Sequence, residues 1–536
     1  MADLTRREVT GGLLAGLGSA ALLGLPGEAA AASVAYRQAL AEAALDDKAL
    51  ARFYRERGYQ GIWTGFSGRR RLRALLAAFA EAPVHGLPVE PYRIDRWRRR
   101  IRAARTEADL GRLEAELSRA FLAYVDDVQS GILEPHKLSK TIDHRAPRRD
   151  HYKTLEAFRQ STPEAFIRLL PPRSPGYAGM LRQKRLLEEA IASGGWGPAV
   201  RARKLEPGDS GAEVVALRNR LIRMGYLRRT ASTRYDRRLQ AAVQRFQRLH
   251  GLAPDGVAGK GTIAAINVGP EARLRQALIS LERQRWLNYP LGKRHIFVNT
   301  ADFMARLYDG DRVVWESRVV VGQRREEWQT AEFSDEMTHI IVNPSWYVPP
   351  SIMTKEYLPK LRNNPAALAR EGIELTDATG RVIDPRAVDW SAYGGGEWPF
   401  SMRQPPGPGN ALGKLKFMFP NRFNIYMHDT PAKSLFARQV RAYSHGCVRV
   451  HKPMEFAHAL LAPQMADPDG YIRRLLATGE ETRVDLAEPV PVHIVYLTAW
   501  IDDEGEAHFR DDIYGRDKLV WSALEAAGVR TDPRLS

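Results

Sequence analysis

The hydrophobic pattern of the chain changes from helical to β spacing near residue 293, and this change constrains the fold more than any other feature. Before that point, apolar residues recur at helical spacing in Ala-, Leu- and Arg-rich runs such as 110–125. After it, β-branched runs bounded by turn residues predict strands at 295–299, 312–321 and 338–342. The sequence therefore predicts an α+β multidomain protein that is helical first and mainly β later.

The composition is that of a globular protein. A chain of 536 residues suggests about three or four domains. The 44% of hydrophobic and 27% of charged residues argue against a disordered chain, a collagen or a multi-span membrane protein. Lys and Arg number 80 against 63 for Asp and Glu, so the net charge is +17. This excess of positive charge suits a polyanionic partner, such as nucleic acid, anionic lipid or an acidic cell-wall polymer.

The first 32 residues have the pattern of an export signal. Arg6 and Arg7 form a basic start before the apolar, Gly-rich run 11–24 and the small residues at 29–32. The paired arginines resemble a twin-arginine signal, while an amphipathic helix and an uncleaved anchor are the alternatives. We expect residues 1–32 to be removed, which leaves a periplasmic protein with no stable membrane span and no nucleic-acid partner.

Pattern and composition divide the remaining chain into three domains, an insertion and a late hairpin. They are a helical scaffold domain at 33–204, a small helical domain at 205–268, a mainly β domain at 290–480, a Pro- and Gly-rich insertion in it at about 351–412, and a β hairpin at 490–515. We expect the insertion to form a cap over the β domain. The hairpin would complete the β domain or the scaffold.

The small helical domain carries its own start signal. Ser210 and Glu213 have the spacing of a capping box, which predicts that a helix begins there. Apolar spacing predicts a second helix over 239–249, and a third follows at 262–266. The residues alone thus predict a domain of three short helices.

The single cysteine, Cys447, lies in a setting that suits nucleophilic chemistry. One cysteine excludes an intrachain disulfide. His445 lies two positions before it and His428 further upstream, and an imidazole can lower the pKa of a thiol or remove its proton. Gly446 lets a substrate carbonyl approach closely, and main-chain amides nearby can hold an oxyanion. The spacing does not decide which histidine is the base.

Two other interpretations of these residues stay open. Most free cysteines are packing residues, so Cys447 is also compatible with a buried, unreactive thiol. His428, His445 and His451 together with Cys447 offer ligand types that zinc accepts. No close ligand pair of the HExxH kind accompanies them, which makes the metal site the weaker interpretation.

Several sequence segments resemble the L,D-transpeptidase catalytic domain of the YkuD type. They are MHDTP at 427–431, YSHGCVRV at 443–450, VNPSWYVPPSI at 342–352 and RQPPGPGNALGKLKFMFPN at 403–421. The domain at 205–268 resembles the peptidoglycan-binding domain of type 1, and the order of the parts resembles the large, YcbB-like branch of the family. Thr330-Ala331 departs from the family, which usually has Thr-Pro there. The resemblance implies a helical scaffold, a three-helix peptidoglycan-binding domain and a mainly β catalytic domain with a capping insertion.

The resemblance also implies roles for individual residues. Cys447 matches the nucleophile and His428 the general base. The family orients the base with a neighbouring main-chain carbonyl or hydroxyl, which makes the Asp429 position the candidate without requiring its carboxylate. The residues that match the support of the oxyanion pocket are Ser444, His445 and Gly446.

Four further residues are candidates for binding substrate. Arg441 and Arg449 would bind stem carboxylates, because a guanidinium pairs with a carboxylate through two hydrogen bonds. Tyr426 and Trp346 would line the cleft. A structural salt bridge is the alternative for each arginine, and core packing is the alternative for each aromatic residue.

The sequence thus predicts an exported peptidoglycan L,D-transpeptidase that needs no cofactor and no metal. Cys447 would attack the third-residue carbonyl of a tetrapeptide stem, release D-alanine and transfer the acyl group to a second stem in a 3-3 cross-link. The resemblance implies that carbapenem β-lactams acylate the same thiol. The alternatives are an L,D-carboxypeptidase, a metal-dependent wall peptidase and a non-catalytic wall-binding scaffold.

Overall fold

The computed structural model describes residues 33–394 and 399–531, so the predicted export signal at 1–32 lies outside the described residues. Within these residues, no helix combines the length and the apolar character needed to cross a membrane. The helices, in chain order, are α1 Val34–Ala44, α2 Lys48–Glu56, α3 Arg69–Glu81, α4 Val89–Tyr92, α5 Ile94–Ala103, α6 Glu107–Ser130, α7 Pro135–Leu138, α8 His151–Gln160, α9 Pro163–Arg168, α10 Pro175–Ala192, α11 Ala212–Arg223, α12 Arg237–Leu249, α13 Lys260–Asn267, α14 Pro270–Trp286, α15 Pro350–Ile352, α16 Leu358–Asn363, α17 Ala367–Arg370, α18 Pro453–Leu461, α19 Pro468–Thr478 and α20 Arg516–Ala526. The strands are β1 Arg294–Asn299, β2 Met304–Asp309, β3 Arg312–Gly322, β4 Phe333–Val342, β5 Trp346–Tyr347, β6 Glu374–Thr376, β7 Val382–Ile383, β8 Ser401–Gln404, β9 Leu415–Met418, β10 Met427–His428, β11 Ala442–Ser444, β12 Val448–Val450, β13 Thr482–Val495, β14 Ala499–Ile501 and β15 Ala507–Phe509.

The first of two compact units consists of helices and their connections, and it comprises residues up to 129 together with 148–171. The predicted apolar face of α6 is buried. The same helix also buries Glu114, whose carboxylate accepts hydrogen bonds from the Tyr54 hydroxyl and from main-chain amides at 62–64. A buried carboxylate is tolerated only with such partners, so Glu114 holds the 62–64 loop against α6.

The second unit comprises 130–147 and the residues from 172 onwards. It includes α10, which packs along α14, although the sequence pattern placed all residues up to 204 in the scaffold domain. Apolar residues of α10 and α14 share one core with the late hairpin, and this burial explains the placement of α10.

The small domain has the three predicted helices, α11, α12 and α13, around a core of its own. The predicted capping box is wrong, because α11 begins after Gly211 and has no side-chain cap. Ser210 instead forms a β bridge with Arg234, and Gly211 has a φ of +113°, which glycine adopts at low cost. The main chain of Ser210 thus forms a β bridge, and its side chain does not cap α11.

The main sheet of the second unit has the order β11-β3-β12-β10-β9-β4-β13-β1-β2, and β2 also pairs with β3, so the sheet closes on itself. Strands at the centre are apolar on their inner side and form the largest core, with α18 and α19 packed against it. The short strand β10 lies between β9, which is antiparallel to it, and β12, which is parallel to it. This arrangement brings residues of three sequence segments to one face.

Two β segments of the second unit are short. The segment 423–428 pairs only at Met427–His428, because Asn424 has a φ of +52° and the Asn421 side chain bonds main-chain groups at both ends of the turn. The predicted late hairpin consists only of Ala499–Ile501 and Ala507–Phe509. The preceding residues belong to β13 and pair with β1 and β4 instead.

The insertion has a sheet of its own in the order β5-β8-β6-β7. It begins earlier than the predicted bounds of 351–412, because β5 at Trp346–Tyr347 pairs with β8 of that sheet. It also has its own buried cluster, which includes Leu361, Leu375, Trp390 and Met402. The strands on either side of it, β4 and β9, pair directly, with Val342 opposite Leu415. The insertion is therefore an elaborated connection between two neighbouring strands.

A buried ion network joins two helices to the sheet. Glu332, just before β4, accepts hydrogen bonds from Arg283 of α14 at 2.5 Å and from Arg516 of α20 at 3.1 Å. The three side chains are 1%, 2% and 3% exposed, so water does not screen these charges. The network fixes both helices against the start of β4.

We expect Glu332→Gln to lower the free energy of unfolding by about 3–5 kcal/mol, because it leaves two buried guanidinium groups without their counter-charge. The measurement is the denaturant midpoint followed by tryptophan fluorescence. Glu455→Gln, which removes an exposed pair with Lys452, is the matched control and should leave the midpoint unchanged. Equal midpoints for all three proteins would contradict the role of the network.

Candidate active site

The predicted base lies on β10, and the thiol immediately precedes the neighbouring parallel strand, β12. Met427 pairs with Val448, and His428 pairs with Arg449. Met427 and Val448 are fully buried in the core of the sheet. Because side chains alternate along a strand, His428 and Arg449 lie on the opposite face, together with Cys447 at the start of the same strand segment.

Two more side chains join this face. Lys416 of β9 is opposite His428 in the antiparallel register. Its ammonium lies 4.2 Å from the centre of the Tyr426 ring, and that ring contacts the His428 ring edge to face at 5.6 Å. Lys416 is not among the residues predicted from the sequence, although Leu415 and Phe417 alternate into the core and so place it on the other side of β9.

His428 is buried, and its Nδ1 donates to the main-chain carbonyl of Asp429 at 2.5 Å. Burial lowers the pKa of His428 to about 3, with the Arg449 and Lys416 charges acting in the same direction and the carbonyls of Asp429 and Leu412 opposing it. The ring is therefore neutral at neutral pH. A proton on Nδ1 leaves Nε2 as the basic nitrogen.

The Asp429 carboxylate does not contact the ring as its orienting group. It accepts hydrogen bonds from the amides of Lys414 and Thr430 and from the Lys433 ammonium. The carboxylate thus fixes the loop that carries the carbonyl, and the carbonyl holds the ring.

The half-buried thiol of Cys447 is subject to opposing influences. Burial raises its pKa, while hydrogen bonds from Tyr426 and the charges of Lys416 and Arg449 favour the thiolate. The Sγ donates to the Asn424 carbonyl at 3.7 Å. Within the described residues, the His428 ring and Sγ each bond other groups and not each other.

The two candidate arginines have different surroundings. Arg441 donates to the carbonyls of Phe303, Val319 and Arg438, and burial lowers its pKa to about 10. Its guanidinium is thus occupied by main-chain groups. Arg449 is half-buried beside Cys447, and its buried Nε has no hydrogen-bond partner among the described residues. Of the two arginines, Arg449 is therefore the one that lies beside the thiol with a guanidinium nitrogen unpartnered among the described residues.

The residues before the thiol form a tight turn. The Ser444 hydroxyl donates to the Cys447 carbonyl at 2.5 Å and accepts from the Gly446 amide at 3.2 Å. Gly446 has a φ of +115°, a conformation that side chains rarely adopt. The turn is therefore built for glycine and presents the main chain beside the thiol.

Thr330 holds this turn through hydrogen bonds. It matches the family pattern, and the departure from that pattern is at the next residue, Ala331. Its buried hydroxyl donates to the Gly446 carbonyl at 2.7 Å and accepts from the Gly322 amide at 2.9 Å. Arg516 donates to the Thr330 carbonyl at 2.9 Å. The ion network at Glu332 is thereby linked to the turn that carries Cys447.

The remaining histidines and Trp346 have other partners. His445 bonds Glu356 of the insertion, and His451 packs against the Phe436 ring. Among the described residues, no group of three or more His, Cys, Asp or Glu side chains is arranged to hold a metal. Trp346 is partly buried and packs against the core of the insertion.

Three family models match successive parts of the chain. Residues 48–183 match the "Scaffold domain", residues 210–266 the "Putative peptidoglycan binding domain" and residues 293–484 the "L,D-transpeptidase catalytic domain". The resemblance and the fold class predicted from the sequence are therefore confirmed. The YcbB-like branch stays a prediction.

A curated relative from Haemophilus influenzae, named "Putative L,D-transpeptidase", is 33% identical over 256 residues. The match covers 48% of this chain, and the chain spans about half, 51%, of the relative's length. A solved L,D-transpeptidase structure (residues 123–326) from Xylanimonas cellulosilytica is 16% identical, with a TM-score of 0.17 and coverage of 56% of this chain and 100% of that one. A fused Zn-dependent amidase/peptidase/peptidoglycan-binding protein from Clostridium acetobutylicum is 12% identical, with a TM-score of 0.15 and coverage of 55% and 100%.

The opposing influences on Cys447 predict how its reactivity depends on pH. Lys416→Met removes a charge that favours the thiolate, so the pKa of the thiol should rise further, and the alkylation profile should move to higher pH by about one pH unit. The measurement is the rate of iodoacetamide addition to Cys447, followed by mass spectrometry between pH 6 and about pH 11. Lys452→Met is the control and should leave the profile in place; a profile for Lys416→Met that moves to lower pH would contradict the assignment.

Proposed function

We propose that this chain, whose residues 293–484 form an L,D-transpeptidase catalytic domain, is an exported enzyme that cross-links peptidoglycan with Cys447 as nucleophile and His428 as general base. The observation that carries the proposal is the shared face of Cys447, neutral His428 and the cations Lys416 and Arg449. A thiol with a neutral imidazole and positive charge beside it suits acyl transfer.

In the first half of the reaction, Cys447 gives its proton to Nε2 of His428, and the sulfur attacks the third-residue carbonyl of a tetrapeptide stem. Main-chain amides in the turn at Gly446 hold the oxyanion. The C–N bond to D-alanine breaks, and His428 returns the proton to the leaving amine. The product is a thioester on Cys447, and free D-alanine is released.

In the second half, an amine of another stem loses its proton to His428 and bonds the thioester carbonyl. The C–S bond breaks, the thiol recovers the proton, and a 3-3 cross-link results. Water in place of the amine gives L,D-carboxypeptidase activity. The separate hydrogen bonds of His428 and Cys447 do not oppose this route, because catalytic contacts commonly tighten only when substrate is bound.

The other domains support a substrate in the cell wall. Residues 210–266 belong to a peptidoglycan-binding type, and the net charge of +17 suits an acidic polymer. The signal-like pattern at 1–32 supports export to the periplasm by the twin-arginine route. Carbapenem-type β-lactams would acylate Cys447 as substitutes for the stem peptide.

The main test incubates the purified protein with tetrapeptide muropeptides and analyses the products by mass spectrometry. We expect 3-3 dimers and free D-alanine from the wild type, and neither from Cys447→Ala, because no other thiol exists in the chain. Activity that persists in Cys447→Ala but stops with a chelator would show a metal-dependent peptidase instead. A wild type that binds the wall without releasing D-alanine would show a non-catalytic scaffold.

Arg449 is proposed to bind the terminal carboxylate of the donor stem, which lies one residue beyond the scissile carbonyl. Arg449→Met should raise KM roughly 10- to 100-fold, since a hydrogen bond to a charged group contributes about 1.5–3 kcal/mol. The control is a donor with an amidated terminus, which should bind wild type and Arg449→Met equally. A variant that still prefers the free carboxylate as strongly as the wild type does would rule out this role.

A further inference from the structure

The insertion reaches the catalytic motif through one short contact. Glu356 lies in the π-helical turn Met353–Tyr357, and its carboxylate accepts a hydrogen bond from Nε2 of His445 at 2.5 Å. The two side chains are 31% and 25% exposed, so the contact is partly shielded from water. Turns of the π type inside helices occur frequently at functional sites. This contact joins two parts of the chain that are 89 residues apart.

The His445 ring is restrained by a second contact. Trp328 packs against it edge to face at 4.8 Å between ring centres. Arg325 and Lys355 lie over the Trp328 ring at 5.0 and 6.0 Å. Glu356 therefore fixes the ring at Nε2, while Trp328 fixes its side.

His445 immediately precedes Gly446 and Cys447, so a restraint on its ring is a restraint on the turn. Ser444 and Thr330 already hold that turn through its main chain. Main-chain amides stabilise an oxyanion only when they are fixed before the reaction, and small displacements are costly. Among the described residues, the hydrogen bond of the His445 ring goes to Glu356 of the insertion and not to the main chain of the turn.

We infer that Glu356 is a positioning residue for acyl transfer, and that it makes the activity of the Cys447 turn depend on the seating of the insertion. The carboxylate selects the tautomer of His445 with a proton on Nε2 and holds the ring against Trp328. When the insertion is seated, the turn before Cys447 is ordered for attack. When the contact breaks, the thiol stays chemically intact, but the amides of the turn lose their alignment. This inference rests on the proposed transpeptidase function.

The test compares Glu356→Ala, Glu356→Gln and Lys360→Ala with the wild type. Lys360 is the matched control, because its exposed ion pair with Glu371 at 3.3 Å lies inside the insertion and is not part of the contacts at His445 and Trp328. The rate constant for Cys447 acylation, by a tetrapeptide donor or a carbapenem, should fall at least about tenfold in Glu356→Ala, with KM changing little. Glu356→Gln retains an acceptor oxygen and should recover most of the rate, and Lys360→Ala should match the wild type.

Iodoacetamide alkylation of Cys447 separates positioning from thiol chemistry, since alkylation needs no oxyanion site. It should proceed at the same rate in all four proteins. Equal acylation rates in Glu356→Ala and wild type would overturn the inference. A parallel fall of the acylation rate, the alkylation rate and the thermal midpoint in Glu356→Ala would also overturn the inference, because that result shows only a damaged fold.

Hydrogen exchange gives a readout that does not require activity. Amides at 444–447 should exchange faster in Glu356→Ala than in the wild type or Lys360→Ala. If neither a tetrapeptide donor nor a carbapenem acylates the wild type, the proposed function fails. The exchange comparison still decides whether Glu356 orders the turn. Unchanged exchange at 444–447 in Glu356→Ala would overturn the coupling.

Discussion

The buried carboxylate of Glu332 is the charge on which the catalytic half of this protein depends. It neutralises guanidinium groups from two helices in a region from which water is excluded. Arg516, one of these groups, also bonds the Thr330 carbonyl, and the Thr330 hydroxyl bonds the Gly446 carbonyl. Helices α14 and α20 are thus connected to the turn that carries Cys447 by a continuous series of hydrogen bonds. A buried ion pair is costly to form, and here it is linked through Thr330 to that turn.

The environment of the thiol shows how burial and charge are balanced. Burial disfavours every charged form, so it raises the pKa of Cys447 and keeps His428 neutral. Lys416 and Arg449 oppose the first effect and reinforce the second. A neutral imidazole is the form that a general base needs, and it follows mainly from burial. The two cations limit the rise in the pKa of the thiol that the same burial causes.

The sequence predicts this protein well where the information is local. The segments around His428 and Cys447 are contiguous, so they suffice to identify the catalytic domain, and the change of hydrophobic spacing suffices for the α+β class. The register of β9, β10 and β12, which brings Lys416 to the thiol, depends on pairings between distant segments and was not foreseen. The same holds for Glu356, whose partner is 89 residues away, and for Thr330. The capping box at Ser210 fails for a local reason, since the main chain of that residue is used in a bridge.

The pairing of β4 with β9 across the insertion has a consequence for how such a chain can vary. Because Val342 and Leu415 remain opposite each other, the sheet keeps its register whatever is placed between them. Asn343, at a φ of +50°, bonds the Lys414 carbonyl at the exit point and already turns the chain as a short hairpin would. The insertion carries its own sheet and core, so its packing is largely independent of the main sheet. Its length and surface can diverge between related chains while the strands that hold the thiol and the imidazole remain unchanged.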